Sequence, residues 1–297
     1  MPECGIDFVK RDQLLSYEEI LRLSRILSQN GVNKVRITGG EPFVRRDLVP
    51  FLTKMTKISG LDSLHITTNG TVTERHLDEI QRLGIKVNLS LDSINPDTNY
   101  QITRRHDLNT VLSCLEGLNQ REIPTKINAV VMSGINDGEI QQLAELAVDR
   151  PIEVRFLEEM PFNGAKRGVV SKWNAPAIIE ELQNHFPGLK LLDFVPGETA
   201  RRLIHSDWKG SLGVIASYSR SFCGSCNRIR ITATGEIRTC LYSNEQHSLR
   251  DFIRQTENDD EVLKFIQAAL MSKSRDGFGA EKKRARSITE SMASIGG

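Results

Sequence analysis

Residues 35–42 read Val-Arg-Ile-Thr-Gly-Gly-Glu-Pro, a short run of strand-forming residues that ends in a double-glycine turn. Apolar side chains in this run alternate with Arg36 and Thr38, and successive side chains of a strand point to opposite faces. Each further predicted strand has one apolar and one polar face in the same way; these strands are 64–68, 86–91, 126–132 and 152–157. Helical patterns separate the strands, and they begin at a capping box at Ser16 and then follow at 47–58, 73–83, 108–119 and after 136.

Strands that alternate with helices in this way predict parallel β-α-β units. In an open sheet covered by helices on both faces, strands are apolar throughout. Here one face of every strand is polar, and a curved sheet accounts for this, because its apolar face packs on outer helices while its polar face lines an interior. The sequence therefore predicts an α/β protein with a barrel or partial barrel over 1–160 and a site at the carboxyl ends of the strands.

The alternation stops after residue 160, and 161–297 is predicted to form a second region. Its expected elements are a helix over 176–185, a strand over 212–217, a hairpin over 229–239, a capping box at 248–251, a helix over 261–270 and an irregular basic tail from 274.

The main chemical feature of this region is a set of cysteines at Cys-x2-Cys-x13-Cys spacing, formed by Cys223, Cys226 and Cys240. Such a set is typical of a metal site. Zinc would require a fourth ligand, whereas three thiolates can hold a [4Fe–4S] cluster and leave one iron open. The spacing alone does not decide between the two.

Composition excludes some classes of function. The chain has 297 residues with 39% hydrophobic and 26% charged residues, as in soluble globular proteins. A net charge of +1 argues against nucleic-acid binding, and no apolar run reaches the roughly 20 residues that would span a membrane. Without a signal peptide, clustered cysteines indicate metal binding in a reducing compartment, either the cytoplasm or, if a targeting segment has been lost, an organelle matrix.

Basic residues recur where the strands and the cysteine segment are expected to meet. Arg36, Lys126 and Arg155 lie on the polar faces of strands, and Arg228 and Arg230 follow Cys226. An unpaired charge in such an interior is costly, which favours a bound anion. Several Arg and Lys groups suit a polyphosphate. The glycines of the 39–42 turn would also let a ligand approach the backbone closely.

Several of these motifs together resemble the GTP 3′,8-cyclase family of radical S-adenosylmethionine enzymes, which act in molybdenum cofactor (molybdopterin) biosynthesis. The resemblance covers nearly the whole chain and includes 35–42, 67–70, 88–93, 155–161, 223–240 and the terminal Gly-Gly. The Gly-Gly-Glu-Pro turn is shared by many radical S-adenosylmethionine enzymes. The C-terminal cysteine triplet with Asn-Arg-x-Arg and the double-glycine end are specific to the cyclase family.

The resemblance implies a partial (β/α)6 TIM-like barrel, followed by a C-terminal iron–sulfur cluster domain. The positions that match the S-adenosylmethionine site are Gly40, Ser90 and Met160. Those that match the GTP site are Arg36, Thr67, Lys126, Arg155, Arg228, Ile229 and Arg230. The ligands of an auxiliary [4Fe–4S] cluster would be Cys223, Cys226 and Cys240, and the tail that ends in Gly296 and Gly297 would reach into the active site.

The implied activity is the radical cyclisation of GTP to (8S)-3′,8-cyclo-7,8-dihydroguanosine 5′-triphosphate. A second [4Fe–4S] cluster in the full-length protein would reduce S-adenosylmethionine to a 5′-deoxyadenosyl radical, which takes the 3′ hydrogen of GTP. The implied partners are an electron donor and the next enzyme, cyclic pyranopterin monophosphate synthase. A homodimer is also compatible with the resemblance.

One departure from the family pattern affects the expected activity. In the family, a Cys-x3-Cys-x2-Cys motif ends immediately before Met-Pro-Glu, which is residues 1–3 here. Cys4 lies past that motif and cannot replace it. We therefore expect a fragment that lacks the first barrel strand and the S-adenosylmethionine-cleaving cluster, and that is inactive as it stands. The alternative is a non-catalytic nucleotide-binding module, stabilised by zinc or a cluster, with a regulatory role.

Overall fold

The computed structural model describes residues 9–160, 172–243 and 247–283. Its main element is an eight-stranded sheet with strand order β1-β2-β3-β4-β5-β8-β7-β6. These strands are β1 (Lys34–Ile37), β2 (Ser63–Thr68), β3 (Lys86–Ser90), β4 (Thr125–Val131), β5 (Glu153–Glu158), β6 (Lys190–Leu191), β7 (Ala200–Ile204) and β8 (Ser211–Ile215). A small antiparallel sheet contains β9 (Arg230–Ile231), β10 (Glu236–Arg238) and β11 (His247–Ser248).

Helices follow most of the parallel strands, and the apolar residues of these helices pack on the outer face of the sheet. They are α1 (Tyr17–Gln29), α2 (Leu48–Met55), α3 (Leu77–Arg82), α4 (Pro96–Thr103), α5 (Leu108–Gln120), α6 (Ile140–Glu145), α7 (Ala175–His185), α8 (Leu249–Gln255), α9 (Asp259–Met271) and α10 (Gly277–Lys282). In the described residues, no helix is both long and apolar enough to cross a bilayer.

The parallel pairing of β1 to β5 and β8 confirms the predicted α/β fold with a partial barrel. Thr67 pairs in register with Asn88, Asn88 with Lys126, and Lys126 with Glu153. Partners in a parallel register share a face, so these polar side chains form one row across the interior. The apolar residues between them pack on the helices in continuous clusters, in which Phe156 is fully buried.

A third apolar cluster joins the C-terminal helices to the first helix. Leu23 and Ile26 of α1 pack with residues of α8 and α9. Beside this cluster, Arg254 donates from Nε to Glu19 at 2.6 Å and from its terminal nitrogens to the carbonyls of Asp12 and Leu14 at 3.0 and 3.1 Å. The segment that leads into α1 is therefore attached to α8.

Several elements differ from the sequence-based predictions. α4 was not predicted, although Asn95 caps it and Pro96 occupies its first turn. β6 and β7 were also missed; they extend the edge of the sheet by antiparallel pairing. The tail from 274 is not wholly irregular, because Asp276 caps α10. Ser248 forms no capping box, since its hydroxyl donates to the Asp251 carboxylate at 3.1 Å.

The predicted capping box at Ser16 is confirmed, and so is the hairpin of β9 and β10. The division at residue 160 stays a prediction. Within the described residues, the sheet runs across it, because β8 pairs with β5 in parallel.

β8 reaches its place beside β5 through a tight backbone approach at Gly210. The Gly210 amide donates to the Ala147 carbonyl at 2.9 Å. A Cβ atom at Gly210 would collide with the Ile152 carbonyl oxygen and would lie 2.6 Å from that of Arg150. Backbone atoms cannot move aside as a side chain can.

Gly210→Ala is therefore expected to destabilise the chain by about 2–4 kcal/mol, because the added methyl group overpacks against backbone carbonyls. Chemical denaturation measures the loss. Gly138→Ala is the matched control, since a methyl group added at Gly138 would have nothing within 4 Å. Equal stability of the two variants would contradict the close approach.

Candidate functional site

Four arginines converge at the polar interior of the sheet. Arg36 comes from β1 and Arg155 from β5, while Arg228 and Arg230 follow the cysteine turn. The surrounding protein shields part of the Arg36 guanidinium from water. This desolvation, together with the positive charges of the other three arginines, lowers the pKa of Arg36 to about 10. The Arg36 side chain still has an exposed surface, so it lies in an open interior that water reaches. A pKa of about 10 leaves the Arg36 guanidinium group charged at neutral pH.

Asn88 on β3 is the partner of Arg36, and sequence reasoning missed it. Its side chain is completely buried. With the amide oxygen turned toward Arg36, it accepts from the guanidinium at 3.1 to 3.3 Å. The signal was present in the sequence, because Asn88 lies on the polar face of a predicted strand. An amide neutralises no charge, so Arg36 is held in place and still available to an anion.

Glu153 is a second residue that sequence reasoning missed. It accepts from Lys126 Nζ at 2.6 Å and from Arg155 Nε at 2.7 Å, and only 8% of the residue is exposed. The premise that Lys126 and Arg155 are unpaired is therefore wrong. Glu153 lies two residues before Arg155, on the same strand face, and opposite Lys126 in the sheet. Strand alternation in the sequence places Glu153 on the same face as Arg155, whereas its position opposite Lys126 required the register of the structure.

Three polar atoms on this interior face have no hydrogen-bond partner among the described residues. They are His65 Nδ1, Thr67 Oγ1 and Asn128 Oδ1, all buried. Buried polar groups are normally satisfied, so these atoms are suited to a bound ligand or water. Thr67 was predicted to bind GTP, whereas His65 and Asn128 were not predicted as site residues.

The Gly-Gly-Glu-Pro turn lies at the carboxyl end of β1. Gly39 has φ +150°, a backbone conformation that favours glycine. Glu41 accepts from the Thr68 hydroxyl at 2.8 Å and from the Asn69 amide at 2.8 Å. The carboxylate therefore ties this turn to the end of β2, and burial raises the pKa of Glu41.

The three predicted S-adenosylmethionine residues lie at different places. A Cβ atom placed on Gly40 would have no atom within 4 Å, so the backbone there is open to a ligand. Ser90 ends β3 and is exposed. Met160 follows β5 and packs against Tyr242 and Ala280, on the side of the cysteines.

The cysteines come from two adjacent loops. Cys223 and Cys226 flank a single 3₁₀ turn, and Cys240 follows β10. All three thiols are free and half-buried. Burial raises the pKa of Cys223, and the nearby Cys240 and Cys226 contribute to the increase. The thiols are thus neighbours.

These thiols do not form a ready site for a single metal ion. In the part of the chain that the structure describes, no three His, Cys, Asp or Glu side chains are close enough to share one ion. Zinc would draw every sulfur to about 2.3 Å from one centre. In a [4Fe–4S] cluster each thiolate binds its own iron, so the sulfurs stand further apart. A zinc ion would thus require these thiols to move together, whereas a cluster would require them to stand further apart.

Cations surround the cysteine turn. Burial raises the pKa of Cys226, but the amide and guanidinium of Arg228, together with Lys273, outweigh burial and leave the pKa lowered. Lys273 Nζ also donates to the Cys226 carbonyl at 2.7 Å. These groups favour a thiolate, which is the form that binds metals.

Arg220 joins the cysteine turn to α10. Its guanidinium carbon lies 3.6 Å from the centre of the Tyr242 ring and 4.5 Å from that of Phe278. Arg220 also donates to the Gly277 carbonyl at 2.8 Å and pairs with Glu281 at 2.7 Å. Arg220 and Lys273 were not predicted, because each contact depends on tertiary structure.

Two other predicted positions have different outcomes. The Ile229 side chain packs into the apolar cluster beneath α1, so a nucleotide would meet its backbone. Gly296 and Gly297 lie outside the described residues, as does Cys4.

Sequence comparisons extend these observations. Residues 4–147 match the Radical SAM superfamily, and residues 152–278 match the Molybdenum Cofactor Synthesis C family. The GTP 3′,8-cyclase of Geobacter sulfurreducens is 36% identical, and the match covers 100% of this chain and 91% of that protein. The mitochondrial GTP 3′,8-cyclase of Arabidopsis thaliana is 35% identical over 100% of this chain and 76% of that protein.

Other relatives are longer. Molybdenum cofactor biosynthesis protein 1 of Dictyostelium discoideum is 38% identical over 94% of this chain, but the match covers 45% of that protein. The chain thus spans about half the length of such relatives. Among solved structures, Streptococcus suis SuiB bound to S-adenosylmethionine is similar with a TM-score of 0.60 and 14% identity, over 86% of this chain and 60% of that one. This likeness concerns the fold alone.

The buried His65 predicts an acid-sensitive stability. Burial lowers the pKa of His65 to about 3, and Arg36 and nearby lysines reinforce the shift. The unfolded chain takes up a proton near the ordinary pKa of about 6.5, whereas the folded chain does not. Stability is therefore present above about pH 6.5 and is lost progressively as the pH falls toward the folded value.

His65→Gln should remove this component, so that about 2 kcal/mol less stability is lost between about pH 7 and pH 5 than in the unchanged chain. Urea denaturation at the two pH values measures the difference. His185→Gln, at an exposed position, is the control. The same pH dependence in both variants would show that His65 is not held neutral.

Proposed function

This chain belongs to the GTP 3′,8-cyclase family, and on that premise we propose that its polar interior is the GTP site of a molybdenum cofactor biosynthesis enzyme. The proposed reaction is the radical cyclisation of GTP to (8S)-3′,8-cyclo-7,8-dihydroguanosine 5′-triphosphate. The observation that carries the proposal is the meeting of Arg36 and Arg155 with Arg228 and Arg230, beside three free thiols. The triphosphate of GTP would require the arginines, and a guanine that binds an iron of the cluster would require the thiols nearby.

The triphosphate is the part of GTP that this interior fits best. Guanidinium groups bind phosphate oxygens in pairs, and such charge-assisted contacts are stronger than neutral hydrogen bonds. The Asn88 amide oxygen contacts all three nitrogens of Arg36 but leaves its positive charge uncompensated. Among the described residues, Arg155 is engaged by Glu153 through Nε alone, so its terminal nitrogens are available to phosphate. The unpartnered Thr67 hydroxyl lies on the same face and supplies a further hydrogen bond.

The guanine end is proposed to lie toward the cysteines. Cys223, Cys226 and Cys240 would hold an auxiliary [4Fe–4S] cluster, with Arg228 and Lys273 favouring the thiolate form. S-adenosylmethionine would bind along the carboxyl ends of the strands, at the open backbone of Gly40 and at Ser90, with Met160 on the side of the cysteines.

The bound cofactors supply the radical chemistry and the open iron, and the residues of this chain supply the geometry. Fixing the triphosphate orients the ribose and the base relative to each other, which turns the ring closure into a reaction of pre-positioned groups.

The thiols of these 297 residues are enough for one cluster. These residues include five cysteines but no Cys-x3-Cys-x2-Cys motif. We therefore propose that residues 1–297 by themselves bind GTP and one cluster without cleaving S-adenosylmethionine. The electron donor, the receiving synthase and a homodimer stay predictions. A location in a reducing compartment, either the cytoplasm or an organelle matrix, also stays a prediction.

GTP binding tests the proposal directly. Arg36→Met should weaken GTP binding by about 10-fold to 100-fold, because a charge-assisted hydrogen bond contributes about 1.5–3 kcal/mol. Isothermal titration calorimetry under anaerobic conditions provides the measurement. Arg25→Met is the control, since Arg25 is an exposed arginine of α1 on the outer side. Unchanged affinity in Arg36→Met, or no GTP binding by the original chain, would rule out this site.

Metal content tests the cysteine assignment. After anaerobic purification or reconstitution, we expect about four irons per chain with the brown absorption of an iron–sulfur protein. Cys226→Ser and Cys240→Ser should lose the iron. Cys114→Ala should keep it, because Cys114 is completely buried in the core and burial raises its pKa to about 12. One zinc per chain without brown absorption would instead favour the nucleotide-binding module without catalysis.

A further inference from the structure

The carboxylate of Glu153 lies between two cations of the proposed GTP site. One carboxylate oxygen accepts from Lys126 Nζ at 2.6 Å, and the other accepts from Arg155 Nε at 2.7 Å. A carboxylate beside a polyanion site is unexpected at first, because its charge repels phosphate. Because Glu153 is buried, its carboxylate belongs to the interior of the protein and is not a surface charge.

The sheet leaves space for this arrangement at Gly213 of β8. A Cβ atom at Gly213 would lie 3.1 Å from Glu153 Oε1 and 3.2 Å from Arg155 Cγ. Both are tighter than ordinary contacts between these atoms. A larger residue would therefore push Glu153 away from Arg155.

The geometry leaves most donors of the two cations free for phosphate. Among the described residues, Glu153 engages Arg155 only through Nε, and it engages one donor of the Lys126 ammonium group. The terminal nitrogens of a guanidinium group are the ones that hold phosphate in a forked contact. The carboxylate thus fixes the side chains without covering the groups that would bind the ligand.

We propose that Glu153 is a positioning residue of the nucleotide site, which holds Lys126 and Arg155 in place and preserves the positive charge of Lys126. This inference rests on the proposed function, because it takes the interior to be the GTP site.

The charges around Lys126 support this role. Burial lowers the pKa of Lys126, Arg155 lowers it further, and Arg202 on β7 acts in the same direction. Glu153 opposes them and raises it. His65 on β2 stays neutral and adds no further positive charge. Burial also acts to raise the pKa of Glu153, but Arg155 and Lys126 outweigh it, so the carboxylate stays ionised at neutral pH.

Removing the carboxylate should therefore weaken phosphate binding in a pH-dependent way. In Glu153→Gln, Lys126 would lose its proton at lower pH, and a neutral amine binds phosphate poorly. We expect GTP affinity to fall roughly tenfold at about pH 9 and by a smaller factor at about pH 6. Titration calorimetry at both pH values measures the profile. Glu257→Gln removes an equal charge at an exposed site and should leave the profile unchanged.

A second substitution distinguishes a loss of affinity caused by deprotonation of Lys126 from a loss caused by altered structure. Arginine stays protonated over this pH range, so Lys126→Arg should remove the part of the pH dependence that comes from loss of the lysine proton. In the Lys126→Arg background, Glu153→Gln should no longer cause the additional loss at about pH 9. Glu153→Asp keeps the charge with a shorter reach, and it should keep the pH profile of the unchanged chain while losing some affinity. If circular dichroism shows that Glu153→Gln does not fold, Glu153→Asp provides the test in its place.

The outcomes distinguish this inference from the proposed function. If the unchanged chain binds no GTP, the proposed function fails. If it binds GTP but Glu153→Gln binds more tightly, the carboxylate only competes with phosphate, and the inference is overturned. A loss that is equal at both pH values and persists in the Lys126→Arg background would also overturn it, because it would indicate a purely structural role.

Discussion

Mutual repulsion between cations is the constraint around which the interior of this protein is arranged. Arg36, Arg155, Arg228 and Arg230 come from three parts of the chain and lie close enough to affect one another. Like charges at this separation disfavour the compact state unless something offsets them. Glu153 neutralises part of the positive charge, and the Asn88 amide holds the Arg36 guanidinium in place. Water that reaches Arg36 screens part of the remaining charge. The remainder is available to an anion, so the fold carries a cost in the free chain that ligand binding would remove.

The cysteine region meets the same constraint at its edge. Lys273 and Arg228 lie beside Cys226, where positive charge favours thiolates, and Arg220 pairs with Glu281 and stacks on two aromatic rings. One set of cations therefore faces the proposed phosphate and another faces the thiols. The two sets meet at Arg228 and Arg230, which follow Cys226 directly. This adjacency explains why a basic pair and a cysteine pair lie so close in the sequence.

The sequence predicted the sheet and its polar face better than it predicted the contacts between residues on that face. Alternation in residues 35–38 and in four later strands was enough for the parallel sheet and its polar face, because alternation is a local property. Glu153 and Asn88 lay on that predicted face, but their contacts depend on register, which a single sequence does not give. β6 and β7 were missed because short edge strands have little local pattern. Arg220 and Lys273 were missed because their partners lie more than 40 residues away.

The contacts of Arg254 have a consequence for how the chain is made. Arg254 and Glu19 are 235 residues apart, and the carbonyls of Asp12 and Leu14 are bound by the same side chain. During synthesis, this attachment cannot form until residue 254 has left the ribosome. Contacts between such distant residues form late, since a long loop must close first. The segment that leads into α1 therefore stays unattached to α8 until α8 has been made, while the parallel strands between them can already pair.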